Sequence, residues 1–342
     1  MLQIQIAKVL LISFKEEEKR KKVSKNRPKN CTCPAFLLTL QTIMKHLVTI
    51  AIPAYKISHL KEAVTSAVFQ TYQNIEIVIV NDCSPYDIEQ VLAPFNDTRI
   101  RYYKNEKNIG GTDLVAQWNK CLSYAQGEFF CLLCDDDVYH PDFVKEMVAL
   151  SERYPTVDVF RARTKEIDIK GNINDVFPSS PEYETAYDYM WQKWKGVRRQ
   201  TVSEFMIRTQ HAKQLGGYYS LPRGWGSDSL SVFLFGMKNG IVSSTSILAC
   251  FRVSGENISS VFTDDAEEKM MAAERYREKS LELIRNCEDE EMRFLLFKYE
   301  KTDYMARVRY ILSRSTFWTS LKIKHRYKIG LGVFLKACWY KL

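Results

Sequence analysis

The 342-residue sequence has no apolar run close to the roughly 20 residues that a membrane-spanning helix needs. Residues 1–14 are apolar, but they lack the leading positive charge and the small-residue cleavage site of a signal peptide. The following run, 15–29, is too polar to pack into a core. We therefore expect residues 1–45 to be a basic leader that is disordered or misassigned, with Met44 as the real start.

The nine cysteines show neither a metal-binding nor a disulfide pattern. Their number is odd, and Cys31 and Cys33 lack both the two-residue gap and the second pair of a zinc site. Several cysteines lie inside apolar runs, as in 130–134, where a thiol behaves as a small hydrophobic side chain. This usage predicts a reducing compartment and hence a cytoplasmic protein.

The net charge of +8 is concentrated at the two ends of the chain. Residues 1–45 carry ten Lys or Arg against three Glu, and residues 304–342 carry nine Lys or Arg and no acid. The body between them is therefore acidic, which excludes a nucleic-acid groove running through the fold. A basic tail rich in aromatic residues instead favours peripheral contact with an anionic membrane, at the inner face of the plasma membrane.

From His46 onward, short apolar runs alternate with segments of helical periodicity. The predicted strands are 47–52, 75–80, 99–103 and 127–134. Strands and helices in alternation with short links predict an α/β fold, with a doubly wound, mostly parallel sheet flanked by helices. The chain becomes strongly helical after Asp264, so we expect a domain over 46–262 followed by a helical C-terminal extension over 263–342.

In such sheets, ligands bind beyond the carboxyl ends of the strands. The predicted strand ends carry an aromatic side chain, a carboxylate, a Gly-containing turn and an acid cluster: Pro53-Ala54-Tyr55, Asn81-Asp82-Cys83-Ser84, Asn105 to Gly111, and Asp135-Asp136-Asp137. Consecutive carboxylates repel one another unless a cation neutralises them, and their hard oxygens suit Mg²⁺ or Mn²⁺. A solvated turn is the alternative for the acid cluster, but its place at a strand end favours a nucleotide diphosphate with its metal ion.

Several polar and aromatic side chains each allow two interpretations. Asp82 can accept the N3–H of a uracil, or it can cap a loop. Tyr55 follows Pro53 at a strand end, where its ring can stack on a base or be buried. Trp225 and the Tyr/Trp-rich stretch 183–194 can form a platform for a sugar acceptor, or they can pack in the core.

Short motifs follow one another between Leu47 and Ser260. They are Val48 to Tyr55, Ile77 to Ser84, Asn105 to Gly110 (N-x-x-N-x-G), Ala125 to Glu128 (A-x-G-E), Cys134 to Asp137, and Gly216-Gly217-Tyr218 with Ser227-Asp228. In this order they resemble the inverting glycosyltransferases of glycosyltransferase family 2, which share the GT-A fold. The chain departs from the family's pattern at Cys83, where Gly is usual, at Cys134, where the first Asp of D-x-D is usual, and at Ser227, where an acid is usual.

The resemblance implies a glycosyltransferase of the hexosyltransferase class, acting in surface polysaccharide or glycan synthesis. It would move a sugar from a nucleotide diphosphate, which we expect to be UDP, to a hydroxyl of a glycan or lipid-linked acceptor, inverting the anomeric carbon. The donor half would cover 46–137 and the acceptor half 138–262. The residues implied to bind the nucleotide sugar are Pro53, Tyr55, Asp82, Asn108, Gly110, Asp135 and Asp136.

The same resemblance assigns the remaining roles. Asp136 and Asp137 would bind Mg²⁺ or Mn²⁺, and Asp228 would take the proton from the acceptor hydroxyl. Trp225 and Gly217 would contact the acceptor. A competing hypothesis is a non-catalytic relative that only binds the nucleotide sugar, and the presence of Asp228 favours the enzyme over it.

Overall fold

Strands and helices alternate along the chain in the computed structural model, which describes residues 46–255 and 265–339. The predicted leader, residues 1–45, lies outside the described residues. The first elements are β1 (Val48–Ala54), α1 (Leu60–Val68), β2 (Ile75–Asn81), α2 (Ile88–Leu92), β3 (Ile100–Lys104), α3 (Leu114–Tyr124) and β4 (Phe129–Leu132). All four predicted strands are therefore present, with ends that differ by at most two residues.

The second half of the sheet is built from shorter and more irregular elements. They are β5 (Val138–Tyr139), α4 (Phe143–Arg153), β6 (Val159–Ile167), β7 (Ile173–Val176), β8 (Tyr183–Glu184), α5 (Ala186–Trp194), β9 (Phe205–Arg208), α6 (Thr209–Gln214), α7 (Ser227–Gly236) and β10 (Ile241–Arg252). Single 3₁₀ turns at Val202–Glu204 and Pro222–Gly224 precede β9 and α7.

The strands form one sheet in the order β3-β2-β1-β4-β9-β6-β10-β5, with β7 beside β6 and β8 beside β10. The first four strands are parallel. Strand β9 is antiparallel to both of its neighbours, so β6 again runs in the direction of β4, and β10 is parallel to β6. The predicted α/β fold with a mostly parallel sheet is thus confirmed.

Strand β2 shows why the sheet must be covered on both faces. All seven of its residues are buried. Ile77 and Ile79 belong to one hydrophobic cluster, whereas Val78 and Val80 belong to another on the opposite face. Because side chains alternate along a strand, a continuous apolar run requires helices on each side of the sheet.

The predicted helical C-terminal extension is also present. It consists of α8 (Ala266–Arg285), α9 (Glu290–Arg314), α10 (Phe317–Arg326) and α11 (Leu331–Trp339). Trp194 of α5 donates its indole N–H to the Tyr276 hydroxyl of α8 at 3.0 Å, so the extension packs against the sheet domain. The predicted boundary at 262/263 falls outside the described residues. None of the helices within 46–255 and 265–339 is long and apolar enough to cross a membrane.

Candidate active site

A cavity of about 1090 Å³ lies beyond the carboxyl ends of β1, β2 and β4. It brings together ten of the eleven site residues that the sequence predicts: Pro53, Tyr55, Asp82, Asn108, Gly110, Asp135, Asp136, Asp137, Trp225 and Asp228. These residues span more than half of the chain, and parallel strands place their carboxyl ends at one edge of the sheet. The topology therefore explains why the motifs converge.

Asp82 is held in one orientation by the Gly-containing turn after β3. Its carboxylate accepts hydrogen bonds from the Asn105 amide (2.7 Å) and from the backbone N–H groups of Ile109 (2.8 Å) and Gly110 (2.7 Å). A carboxylate has about four acceptor positions, so Asp82 keeps one for a ligand in the cavity. A β-carbon at Gly110 would lie 2.8 Å from Asp82 Oδ2, which explains why glycine stands there.

Cys83 occupies a position that favours glycine. Its φ is +51°, in the left-handed region that residues with a side chain rarely adopt. This conformation accounts for the glycine expected there from the family pattern, and it turns the chain so that the Ser84 hydroxyl donates to the Tyr55 carbonyl at 2.6 Å. The end of β2 is thereby tied to the end of β1 despite the substitution.

Asp135 anchors the acid turn, which consists of Asp135, Asp136 and Asp137, to the end of β1. Its Oδ2 accepts the backbone N–H groups of Tyr55 (3.0 Å) and Lys56 (2.8 Å). Burial raises the pKa of Asp135, while the nearby charge of Lys56 opposes that shift. Asp135 thus positions Tyr55, whose side chain is 39% exposed in the cavity.

Asp137 is bound from the opposite side of the turn. The Ser203 hydroxyl donates to its Oδ2 at 2.6 Å, and the backbone N–H of Arg252 donates to its Oδ1 at 2.9 Å. Burial and the charge of Asp136 raise the pKa of Asp137 to about 8. The buried Arg252 also donates from Nε to the Asp136 carbonyl at 2.9 Å, so the end of β10 supports the acid turn.

Asp136 lies between these two anchored carboxylates and contacts a cation of the protein itself. The Lys56 ammonium is 2.6 Å from Asp136 Oδ2 and 3.5 Å from Asp135 Oδ1. Although burial opposes it, the charges of Asp135 and Asp136 raise the pKa of Lys56 above its ordinary value. Lys56 was not predicted as a site residue, because a lone lysine carries no sequence signal.

The acid turn fits a divalent ion that is shared with a substrate. Within 46–255 and 265–339, no three His, Cys, Asp or Glu side chains form a cage for a metal ion. Mg²⁺ is usually held by one or two carboxylates together with substrate phosphates, rather than by such a cage. Burial and the negative charge of Asp136 raise the pKa of Asp137 because both disfavour its ionised form. A bound cation would stabilise the ionised carboxylate and so offset both effects.

Asp228 lies in the first turn of α7 and lines the same cavity. The Gln200 amide donates to Asp228 Oδ2 at 3.3 Å. The preceding Ser227 is fully buried, and its hydroxyl accepts the backbone N–H of Leu221 at 3.0 Å, so it supports the loop rather than facing a ligand. One carboxylate is thus presented to the cavity where the family motif carries two acids.

The helical extension supplies a wall of the cavity that the sequence did not predict. Asp265 and Lys269 of the α8 region, with Asp303, Arg307 and Tyr310 of α9, line it. Trp225 stacks on Tyr310 with ring centroids 6.3 Å apart, and the Arg307 guanidinium lies 5.3 Å from the Trp225 ring. Helix α9 therefore holds the Trp225 ring in the wall of the cavity.

Lys193 is a second cation that sequence reasoning missed. It lies on α5 and lines the cavity. Burial lowers the pKa of Lys193, and the charge of Asp228 opposes that shift more than any other neighbour. The nearby segment 183–194 proves to be mainly packing, because Tyr189 and Trp194 are buried against Phe233.

Gly217 is the predicted site residue that does not line the cavity. It has φ +83°, and a β-carbon there would lie 2.3 Å from Asn119 Oδ1. The same Asn119 amide bonds both the N–H (2.7 Å) and the carbonyl (3.0 Å) of Tyr218. The structure thus gives Gly217 a packing role: it lets the loop before α7 close against α3.

A mixed sheet with carboxylates after two of its strands, β2 and β4, and a further acid on the same cavity fits the GT-A fold that the sequence motifs imply. Residues 49–208 match the family model described as Glycosyl transferase family 2. This region is a little under half of the chain, and the match confirms the predicted resemblance to the family and supports the predicted enzyme class.

Relatives match the chain over limited segments. An uncharacterised glycosyltransferase of Rickettsia conorii is 37% identical over 130 residues, which are 37% of this chain and 21% of that protein. The UDP-Glc:alpha-D-GlcNAc-diphosphoundecaprenol beta-1,3-glucosyltransferase WfgD of Escherichia coli is 32% identical over 95 residues, covering 28% of this chain and 36% of WfgD. The matched segments are thus about a fifth to a third of these relatives' lengths.

Solved structures share the fold over most of the chain. TarS of S. aureus in complex with UDP-GlcNAc superposes with a TM-score of 0.57 at 19% identity, covering 85% of this chain and 79% of that one. The mannosyltransferase PcManGT of Pyrobaculum calidifontis, in complex with GDP-Man and Mn²⁺, gives a TM-score of 0.54 at 13% identity and covers 94% and 92%. At these identities the likeness establishes the fold alone, and it confirms the expected GT-A architecture.

Proposed function

We propose that the chain is an inverting glycosyltransferase that moves a hexose from a nucleotide diphosphate to a hydroxyl of a glycan or lipid-linked acceptor. The observation that carries this proposal is the single cavity that holds both the strand-end carboxylates and Asp228. A donor site and a general base must lie on opposite sides of one reacting carbon for inversion. The cavity has room for both substrates.

The nucleotide would be bound at the ends of β1 and β2. Asp82, with one acceptor position left, suits the N3–H of a uracil, and Tyr55 and Pro53 would border the base. Asn108 and Gly110 belong to the turn that orients Asp82 and would contact the same nucleoside. The UDP-sugars in the TarS complex and in the name of WfgD support UDP as the donor nucleotide.

Asp136 and Asp137 would hold Mg²⁺ or Mn²⁺ beside the diphosphate. A divalent ion in this position supplies Lewis-acid stabilisation of the charge that develops on the leaving group. Asp135 acts mainly by fixing the backbone of Tyr55 and Lys56. The Mn²⁺ bound by PcManGT supports this choice of cofactor.

Asp228 would accept the proton of the acceptor hydroxyl as that oxygen attacks the anomeric carbon. Gln200 orients its carboxylate, and Lys193, whose pKa is lowered by burial, lies nearby. The acceptor would rest against Trp225 and Tyr310, because aromatic rings suit the apolar face of a pyranose. The exposed Phe317 and Trp318 of α10, with Lys322 and Lys324 on the same helix, support a lipid-linked acceptor at an anionic membrane surface.

The decisive experiment is a transfer and hydrolysis assay on a panel of nucleotide sugars with Mn²⁺. Asp228→Asn should lower kcat by roughly 10² to 10⁴-fold, because a general base is worth about that much, while UDP binding stays unchanged. Asp136→Asn should abolish stimulation by Mn²⁺. If UDP binds but no sugar is transferred or hydrolysed by the wild type, the chain is the non-catalytic nucleotide-sugar-binding relative instead.

A further inference from the structure

Lys56 is tied to the acid turn at two points. Its backbone N–H donates to Asp135 Oδ2 at 2.8 Å, and its ammonium reaches Asp136 Oδ2 at 2.6 Å. The side chain is 26% exposed, so it lies mostly inside the protein rather than in bulk solvent. The cation is therefore held beside the carboxylate that the proposed function gives to the metal ion.

A metal ion and this ammonium compete for the same place. Mg²⁺ binds carboxylate oxygens at about 2.1 Å, and the Lys56 ammonium already lies 2.6 Å from Asp136 Oδ2. A divalent ion on that oxygen would stand within a few ångströms of the ammonium, and like charges so close repel strongly in a partly buried site. The ammonium must leave before the ion can bind well.

We propose that Lys56 is a built-in counter-cation that neutralises Asp136 in the donor-free protein and is displaced when the metal ion and the nucleotide diphosphate bind together. This inference rests on the proposed function, since it needs a diphosphate donor. The incoming phosphate oxygens offer the ammonium a new anionic partner. Metal and nucleotide therefore bind cooperatively, with Lys56 as the positioning residue that couples them.

The local structure allows the exchange without rebuilding the site. Asp135 holds the Lys56 backbone, so a rotation of the flexible four-carbon side chain moves the charge. Both Lys56 and Asp136 line the cavity in which the diphosphate would lie. The backbone bonds to Asp135 remain, and Tyr55 keeps its position while the ammonium moves.

The test measures Mn²⁺ binding to the full chain by electron paramagnetic resonance of the free ion, with and without UDP. Without UDP, Lys56→Met should bind Mn²⁺ at least tenfold more tightly than the wild type. Lys56→Arg should stay close to the wild type because it keeps the charge. Lys61→Met, on the exposed side of α1, is the matched control and should change nothing.

The second arm measures the coupling itself. UDP should lower the Kd for Mn²⁺ in both proteins. The factor should be at least tenfold larger for the wild type than for Lys56→Met, because the variant has no ammonium to displace. Circular dichroism and the Tm of each variant verify folding. If Lys56→Met unfolds, Lys56→Gln, which keeps a hydrogen-bond donor, replaces it with the same expectations.

Two contrary results can be told apart. If Mn²⁺ binds with UDP but the affinities of the wild type and Lys56→Met are equal, or the variant binds more weakly, Lys56 is not a counter-cation and the proposed function stands. If neither protein binds Mn²⁺ even with UDP, the metal site of the proposed function fails, and this inference fails with it.

Discussion

Arg307 of α9 lies directly against Gly226, the residue that precedes α7. A β-carbon at position 226 would lie 2.9 Å from Arg307 Nη1 and 3.1 Å from the ring of Tyr276. Gly226 also has φ +90°, a conformation that favours glycine. Because Asp228 follows two residues later, the position of the candidate base depends on how the helical extension packs.

Gly226→Ala should therefore damage both folding and activity. The left-handed backbone alone should cost about 1 to 2 kcal/mol of unfolding free energy. The contact with Arg307 should in addition shift the turn that carries Asp228, and kcat/KM should fall at least tenfold. Urea unfolding and the transfer assay measure the two effects.

Gly171→Ala is the matched control for that substitution. Gly171 has a similar φ of +85°, but nothing lies within 4 Å of the position its β-carbon would take. It should lose comparable stability and keep its kcat/KM. Equal loss of activity in the two variants would contradict a role for the Arg307 contact in placing Asp228.

Gly110→Ala should weaken nucleotide binding with little effect on folding. The added β-carbon would lie 2.8 Å from Asp82 Oδ2 and would turn the carboxylate away from its present orientation. The Kd for UDP should rise at least tenfold, or about 1.4 kcal/mol, in isothermal titration calorimetry. Gly330→Ala, at a glycine with open space around it, should leave the Kd unchanged. An unchanged Kd in Gly110→Ala would remove Asp82 from the nucleotide site.

The strand-end residues could be predicted from the sequence because the signals there are local. Apolar runs mark β1, β2 and β4, and the topology of a parallel sheet brings their ends together, so Asp82 and the acid turn were identified correctly as cavity residues. The left-handed Cys83 shows that the backbone keeps its course even where the favoured glycine is missing.

The other wall of the cavity could not be predicted in this way. Arg307, Lys193 and Lys56 are ordinary charged residues in the sequence. Their roles arise only from contacts with residues that are distant in the sequence, as between Lys56 and Asp136, which are 80 positions apart. Gly217 shows the opposite case, because a motif suggested an acceptor contact and the structure places the glycine against Asn119, outside the cavity lining. For the charged residues and for Gly217 alike, the role depends on contacts with residues that are distant in the sequence.

Asp137 should make the stability of the metal-free protein depend on pH. Its pKa is raised in the folded protein from the ordinary 3.8 to about 8, so between these values the folded state holds a proton that the unfolded state has lost. Stability should therefore fall as the pH rises through this range. Asp137→Asn, followed by urea unfolding from pH 5 to 8.5, should remove this part of the slope, and a slope identical to that of the wild type would contradict the raised pKa.

Helix α10 should bring the protein to anionic membranes. Phe317 and Trp318 at its start are 55% and 71% exposed, and Lys322 and Lys324 follow on the same helix. Each lysine near an anionic surface contributes about 1 kcal/mol, so Lys322→Gln with Lys324→Gln should weaken binding to phosphatidylserine-containing vesicles by roughly 30-fold. Cosedimentation at physiological salt measures this binding.

Trp318→Glu should weaken the same binding because it removes an aromatic side chain suited to the membrane interface and adds a repelled charge. Phe69→Glu is its control, since Phe69 is 69% exposed but lies at the end of α1, in the proposed donor half. It should bind vesicles like the wild type. If all variants bind equally, or if neutral phosphatidylcholine vesicles bind as well as anionic ones, α10 is not the membrane contact.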